Sequence, residues 1–339
     1  MQMKASTFDL EEKRLKEEIR KRGAKRILFQ LPEGLKVDGP RLASIAEKMG
    51  AVAIVSADPC YGACDLAVQE AESLGADLLV HYGHSEMMPQ SQQRVPTIYI
   101  EAKTAISVKP AVKKALPLLK PWKHIGLVTT VQHVDMLGEA RTTLLEAGKS
   151  VAVGDAGELK YAGQVTGCNY SNATAIMKDV DAFLFIGGGR FHALGVTLAT
   201  SKPTVVADPY ERRAYSIDAE AQKIRKQRWA SIHEAQKAQS FGVLIGLKSG
   251  QKRIDEAMRV KEKLEKKGKK ATLLTIREVT PEALTQFPTI DSFVNTACPR
   301  IALDDANKFR KPVLTVNETL VIIGELTWEK LLKKGWFED

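Results

Sequence analysis

At 339 residues and 37.3 kDa the chain is too long for one ordinary core, and roughly 100–200 residues per domain predicts two or three. A composition of 44% hydrophobic and 27% charged residues excludes a disordered or fibrous chain, and no apolar run approaches the ~20 residues of a membrane helix. Four cysteines are too few for a disulfide scaffold, so a reducing, cytoplasmic setting is expected, and the acid–base alternation of the first twenty residues is unlike a signal peptide.

The net charge of +9 is spread out, with basic runs at 212–213, 223–228 and 261–270 that read mostly as solvated helix faces. The sharper reading of these runs, 223–228 among them, is docking onto an acidic partner, protein or RNA. Aromatic residues make up 6% and none interleave with these runs, so direct nucleic-acid binding is not expected.

In chain order, short apolar runs at 26–31, 51–55, 77–80 and 96–100 read as strands separated by helix-period stretches. The same succession returns at 125–130, 151–153, 181–186 and 203–206, and again at 241–245, 271–276, 291–294 and 312–316. Asp77, Asp181 and Asp291 each open the third run, and Pro96, Pro203 and Pro312 stand at the fourth. A period of about 100–115 residues is too long for a solenoid, so the repeat predicts three domains. The expected class is α/β: three repeated open domains, each with a roughly four-stranded, mainly parallel sheet, arranged around a central cleft. The expected boundaries are 1–103, 104–210 and 211–339.

Ligands of such sheets bind beyond the carboxyl ends of the strands. All four cysteines, Cys60, Cys64, Cys168 and Cys298, follow predicted strands, and every repeat supplies at least one in an equivalent loop. A buried structural thiol is the ordinary reading of one such cysteine, but a threefold placement favours ligands. No histidine stands at zinc-finger spacing, and soft thiolates also suit an iron–sulfur cluster, in which three protein ligands leave one iron open to substrate. Gly187, Gly188 and Gly189 with His192 follow a strand and offer close backbone approach, while His81 and His84 end the matching strand of the first repeat. Gln132 and Gln251 stand on first-strand loops. Walker A and GxSxG patterns are absent, which excludes the common kinase and hydrolase readings.

The ordered set Tyr61 to Asp65, Val80 to Ser85, Gly167 to Tyr170, Phe185 to Gly189, Asp208 to Tyr210, and Ala297 to Arg300 with Leu303 to Asp305 resembles the archaeal diphthamide synthase family of iron–sulfur enzymes, the 2-(3-amino-3-carboxypropyl)histidine synthases. The resemblance runs from about residue 20 to near the C-terminus. It implies a homodimer in which Cys64, Cys168 and Cys298 hold a [4Fe-4S] cluster, while Cys60 is a thiol that the family does not need. The implied reaction takes an electron from an external donor through the cluster to S-adenosylmethionine. The resulting 3-amino-3-carboxypropyl radical joins a histidine of translation elongation factor 2, and methylthioadenosine is released. Gly187, Gly188, Gly189, His192, Gln132 and Gln251 are the residues expected to contact S-adenosylmethionine. Two other readings fit parts of the pattern: a quinolinate synthase-like [4Fe-4S] enzyme, and a non-catalytic, translation-associated docking module with structural thiols.

Overall fold

The computed structural model describes residues 7–89 and 93–337. Three sheets follow one another along the chain. The first holds β1 (Arg26–Gln30), β2 (Val52–Val55), β3 (Leu78–Tyr82) and β4 (Thr97–Ile100), in the order β2-β1-β3-β4. The second holds β5 (His124–Thr129), β6 (Ser150–Ala152), β7 (Ala182–Ile186), β8 (Thr204–Asp208) and β9 (Arg213–Ser216), in the order β6-β5-β7-β8-β9. The third holds β10 (Ser240–Gly246), β11 (Lys270–Ile276), β12 (Ser292–Asn295) and β13 (Val313–Thr315), in the order β11-β10-β12-β13. All pairings are parallel except β8 with β9. Strands β3, β4, β7, β8, β12 and β13 are buried along their whole length, as expected of parallel strands covered by helices.

The chain folds into two compact units. One comprises the chain through Ile106 together with Val131–Met136 and Lys248–Gly250; the other comprises Ser107–Thr130, Leu137–Leu247 and Gln251 onward. The first sheet therefore lies in one unit, and the second and third lie in the other.

The recurring aspartate at the third strand has a physical cause. Asp77 accepts backbone N–H bonds from Lys25 and Arg26 as β1 begins. Asp181 does the same for Lys123 and His124, and Asp291 for Gln239 and Ser240, at 2.8–3.0 Å. Each carboxylate thus satisfies amides that the edge of the ladder would leave unpaired. These amide bonds hold the carboxyls of Asp181 and Asp291 below their ordinary value of 3.8. Because the folded value is depressed, the stabilisation is complete above the ordinary value and is lost as pH falls from there through the depressed one. Asp291→Asn is accordingly expected to lower the urea midpoint modestly at pH 6, with the difference from the parent shrinking at pH 3.

The second and third repeats share a close approach that the first lacks. Gly126 pairs with Phe183 and Gly242 with Phe293, and an added Cβ would come within 2.5 and 2.8 Å of the rings. In the first repeat the same register pairs Leu28 with Leu79.

Two sequence expectations need correction. The fifth strand, β9, was not foreseen, because its short, partly exposed run offers no apolar stretch and it pairs antiparallel at the sheet edge. The basic run 223–228 is not a uniformly exposed surface. It lies on the helix Asp218–Ala235, where Arg228 is fully buried. Its guanidinium pairs with Glu318 at 2.6 and 2.8 Å and donates to the carbonyls of Ala302 and Val313. Arg225 is half-buried, with Nη2 donating to the Thr197 carbonyl at 3.1 Å.

Candidate functional site

The cysteines stand beyond the carboxyl ends of strands, but not all at the same strand. Cys64 follows β2 and Cys168 follows β6, whereas Cys298 follows β12, the counterpart of β3 and β7. The expected threefold equivalence therefore holds for two of the three, with Cys298 displaced by one strand along the shared edge. None of the four cysteines is in a disulfide. Cys64, Cys168 and Cys298 are partly exposed, while Cys60 is buried.

In the first unit, Cys64 is presented on a short, braced loop. Asp65 N donates to Gly62 O at 2.9 Å, closing a tight turn over the cysteine. Gln30, at the end of β1, spans the loop from below: its Nε2 donates to Asp65 O at 2.6 Å and its Oε1 accepts from Ala67 N at 3.1 Å. The segment 248–250 supplies the other brace. Gly250 N donates to Cys64 O at 2.7 Å, Ser249 Oγ donates to Leu66 O at 3.1 Å, and Lys248 Nζ pairs with Asp65 Oδ2 at 3.0 Å. The same ammonium lies 4.1 Å from the centre of the Tyr61 ring.

Glycine is required at 250 by space. A Cβ there would lie 2.7 Å from Cys64 Cα and 3.1 Å from its carbonyl oxygen, which are backbone atoms that cannot turn away. Gly250→Ala is expected to cost about 1–3 kcal/mol by overpacking. The measurements that check it are the thermal midpoint and the iron retained after anaerobic reconstitution, both of which should fall.

In the second unit, Cys168 and Cys298 lie on loops tied together by Arg300. Cys298 precedes the short helix Pro299–Asp304, and its carbonyl accepts from Asn295 Nδ2 at 2.6 Å. Arg300 is buried and forms a forked pair with Asp304 at 2.6 and 2.9 Å. It also donates to Phe191 O at 2.9 Å and to the Tyr170 hydroxyl at 3.4 Å, and its guanidinium lies 3.8 Å from the centre of the Phe191 ring. Tyr170 in turn donates to Gly167 O at 3.3 Å, next to Cys168. A groove beside Cys168 is lined by Arg253, Arg259, Lys263 and Asn295 and by Ala297 and Pro299, the residues flanking Cys298. Burial pushes the Cys168 thiol up; the Thr166 hydroxyl and the cations Arg253 and Arg300 oppose that shift.

The glycine loop follows β7 and enters the helix Phe191–Thr200. Gly187 and Gly189 have φ of 149° and 76°, which admit glycine readily, and Gly188 packs so closely on Tyr210 that a Cβ would lie 3.0 Å from the ring. Gly188 and Gly189 are exposed. The His192 ring stacks near that of Phe185, with centroids 6.0 Å apart. Gln251 is buried in the second unit. Gln132 belongs to the first unit, where its Nε2 donates to the carbonyls of Gly83 and Glu101 at 2.7 and 3.3 Å. Sequence places Lys248 and Gly250 on a polar strand-end loop and Arg300 in a family motif, but their bracing roles, and Gln30 altogether, were not read from it. The one available signal is the Arg300–Asp304 spacing, which places an ion pair on one helix face.

Residues 31–332 match the family model described as "Putative diphthamide synthesis protein". The chain belongs to the diphthamide synthesis family. It is 39% identical over 309 residues to the 2-(3-amino-3-carboxypropyl)histidine synthase of Pyrococcus horikoshii, covering 91% of this chain and 88% of that protein. It is 32% identical over 316 residues to subunit 1 of the Caenorhabditis elegans enzyme, covering 91% and 78%. Among solved structures it is similar to Dph2 from P. horikoshii with a 4Fe-4S cluster, with a TM-score of 0.87, 36% identity and coverage of 98% and 94%. The family motifs read from the sequence, with Cys64, Cys168 and Cys298 among them, lie within the span matched to the diphthamide synthesis family. No described helix is long and apolar enough to cross a membrane.

Proposed function

We propose that this member of the diphthamide synthesis family catalyses the first step of diphthamide formation. A 3-amino-3-carboxypropyl group passes from S-adenosylmethionine to a histidine of translation elongation factor 2, and methylthioadenosine is released. The observation that carries this reading is the set of three partly exposed, unoxidised cysteines beyond the carboxyl ends of strands from three sheets, in a chain of this family.

The donor set fits an iron–sulfur cluster. Cys64, Cys168 and Cys298 are soft ligands flanked by small residues, and three thiolates leave one iron for substrate. Burial raises the Cys168 thiol, and Thr166, Arg253 and Arg300 offset part of that rise toward the deprotonated form that a ligand requires. When bound, the cluster supplies the electron that breaks the bond between sulfur and the methionine γ-carbon.

The protein's own part is orientation, since the carbon aligned with the reducing centre decides which bond breaks. The exposed amides of Gly188 and Gly189 suit the carboxylate or ribose of S-adenosylmethionine, with His192 beside them. Gln132 and Gln251 complete the proposed contacts, Gln132 through the part of its amide not committed to Gly83 and Glu101. In this reading the functional domains are 1–103, 104–210 and 211–339, each giving one cysteine, with β9 of the second sheet lying past the second boundary. The enzyme works as a cytoplasmic homodimer with an external electron donor.

The test is anaerobic reconstitution followed by dithionite and S-adenosylmethionine, with the released nucleoside identified by mass spectrometry. Methylthioadenosine is expected. 5′-Deoxyadenosine would show that another carbon–sulfur bond breaks, and no cleavage by cluster-loaded protein would overturn the assignment.

A further inference from the structure

The first unit contains a second cluster of donors that the reaction above does not use. Cys60, His81 and His84 bring one ligand atom each to within 4.8 Å of one another. Cys60 and His81 are 2% and 0% exposed and His84 is partly buried, so two of the three donors are withdrawn from bulk water. His81 lies on β3, His84 just beyond it, and Cys60 on the loop after β2.

The hydrogen bonds around Gln30 fix the tautomer of His81. Gln30 Nε2 donates to Asp65 O, so its Oε1 is the atom that accepts from Ala67 N. That same Oε1 lies 2.8 Å from His81 Nδ1. Two acceptors cannot share a hydrogen bond, so Nδ1 carries the proton and Nε2 presents a lone pair. The lone pair accepts from His84 Nδ1 at 3.0 Å, so without an ion His84 carries a proton on Nδ1, and an ion bound between the rings takes that proton's place. Two nitrogens bound at about 2.0–2.1 Å to a tetrahedral zinc stand ~3.3 Å apart, so the imidazoles are already near the spacing that a shared ion requires. An imidazole whose other nitrogen is held by an outer hydrogen-bond partner is the usual form of a metal-bound histidine, and here Gln30 plays that part.

From this geometry we infer that Cys60 Sγ, His81 Nε2 and His84 Nδ1 form a binding site for a single divalent ion of the zinc class. Three protein donors leave a fourth position for water. The mixed sulfur and nitrogen set favours such an ion over magnesium or calcium, which take oxygen ligands. Gln30 touches His81 on one side and the backbone of Asp65 and Ala67 on the other, so an ion here braces the loop that presents Cys64.

The test uses the full chain carrying Cys64→Ala, Cys168→Ala and Cys298→Ala, in which Cys60 is the single remaining thiol. Cobalt(II) is titrated as the probe. The expected result is one equivalent bound, with a thiolate-to-cobalt charge-transfer band and the visible bands of tetrahedral cobalt, both removed by added zinc. Adding His81→Ala or His84→Ala should weaken binding by about tenfold or more. Absence of the charge-transfer band at one equivalent, or unchanged affinity in both histidine variants, would overturn the site. A second measurement covers the case in which the triple variant fails to fold. Wild-type chain and Cys60→Ser, both cluster-loaded, are dialysed against zinc and analysed for metal. One zinc per chain, lost in Cys60→Ser with iron unchanged, supports the site; equal zinc in both rejects it. Neither readout depends on the diphthamide reaction.

Discussion

Cys64→Ala, Cys168→Ala and Cys298→Ala are each expected to lose the visible absorption of the reconstituted cluster and to lower methylthioadenosine release by more than ~100-fold, beyond the 10–100-fold typical of outer partners. Cys60→Ser is expected to keep that absorption. The contrast follows from position. The first three thiols are partly exposed beyond strand ends, whereas Cys60 is buried and its thiol is pushed up to about 12, chiefly by burial and then by Asp65 and Glu33. Cys60, buried against His81 and His84, is placed for the ion proposed above and not for iron at the position of a lost neighbour. Iron content, absorption and nucleoside release, measured on the same preparations, check the expectation. Full cluster absorption in any of the three alanine variants would remove that residue from the ligand set.

The second large effect concerns stability. Arg228 and Glu318 are both fully buried, and each of the three guanidinium nitrogens donates to an acceptor. Glu318 also accepts from Trp336 Nε1 at 2.9 Å and from Thr315 N at 2.8 Å, closing a capping box on the helix Val316–Ile322. Removing one charge strands the other away from water. Arg228→Met or Glu318→Leu alone is therefore expected to cost about 3–5 kcal/mol, while the double change recovers most of the loss. Urea denaturation followed by tryptophan fluorescence checks both, since Trp336 reports on the network directly. Equal losses in the single and double variants would show that packing, rather than charge, sets the cost.

Much of the architecture was legible because parallel buried strands leave an unambiguous trace: short apolar runs, each closed by polar turns, repeated in one order. The three aspartates were visible as a pattern, although their amide partners were not. What stayed hidden depends on contacts across long sequence distances. Arg228 reads as one cation in a basic run until Glu318, ninety residues on, is placed beside it. The position of Cys298 one strand later than its counterparts was, by contrast, already implied, since the run 291–294 before it is the third of its repeat while 51–55 and 151–153 are the second of theirs. β9 carried too little apolar character to register. Gln30 looked like the polar end of a strand, and only folding shows that its two amide atoms hold a histidine and a cysteine loop at once.

The brace at 248–250 bears on the order in which the protein is made. Asp65 and Lys248 are separated by 183 positions, yet the second completes the loop around the first. A ribosome adding roughly 5–20 residues per second exposes the whole first sheet several seconds before that segment emerges. During that interval Cys64 waits in an unfinished turn. Iron delivered to the nascent chain before that segment emerges would meet a half-built receptor, so metal loading belongs after residues 248–250 have been made.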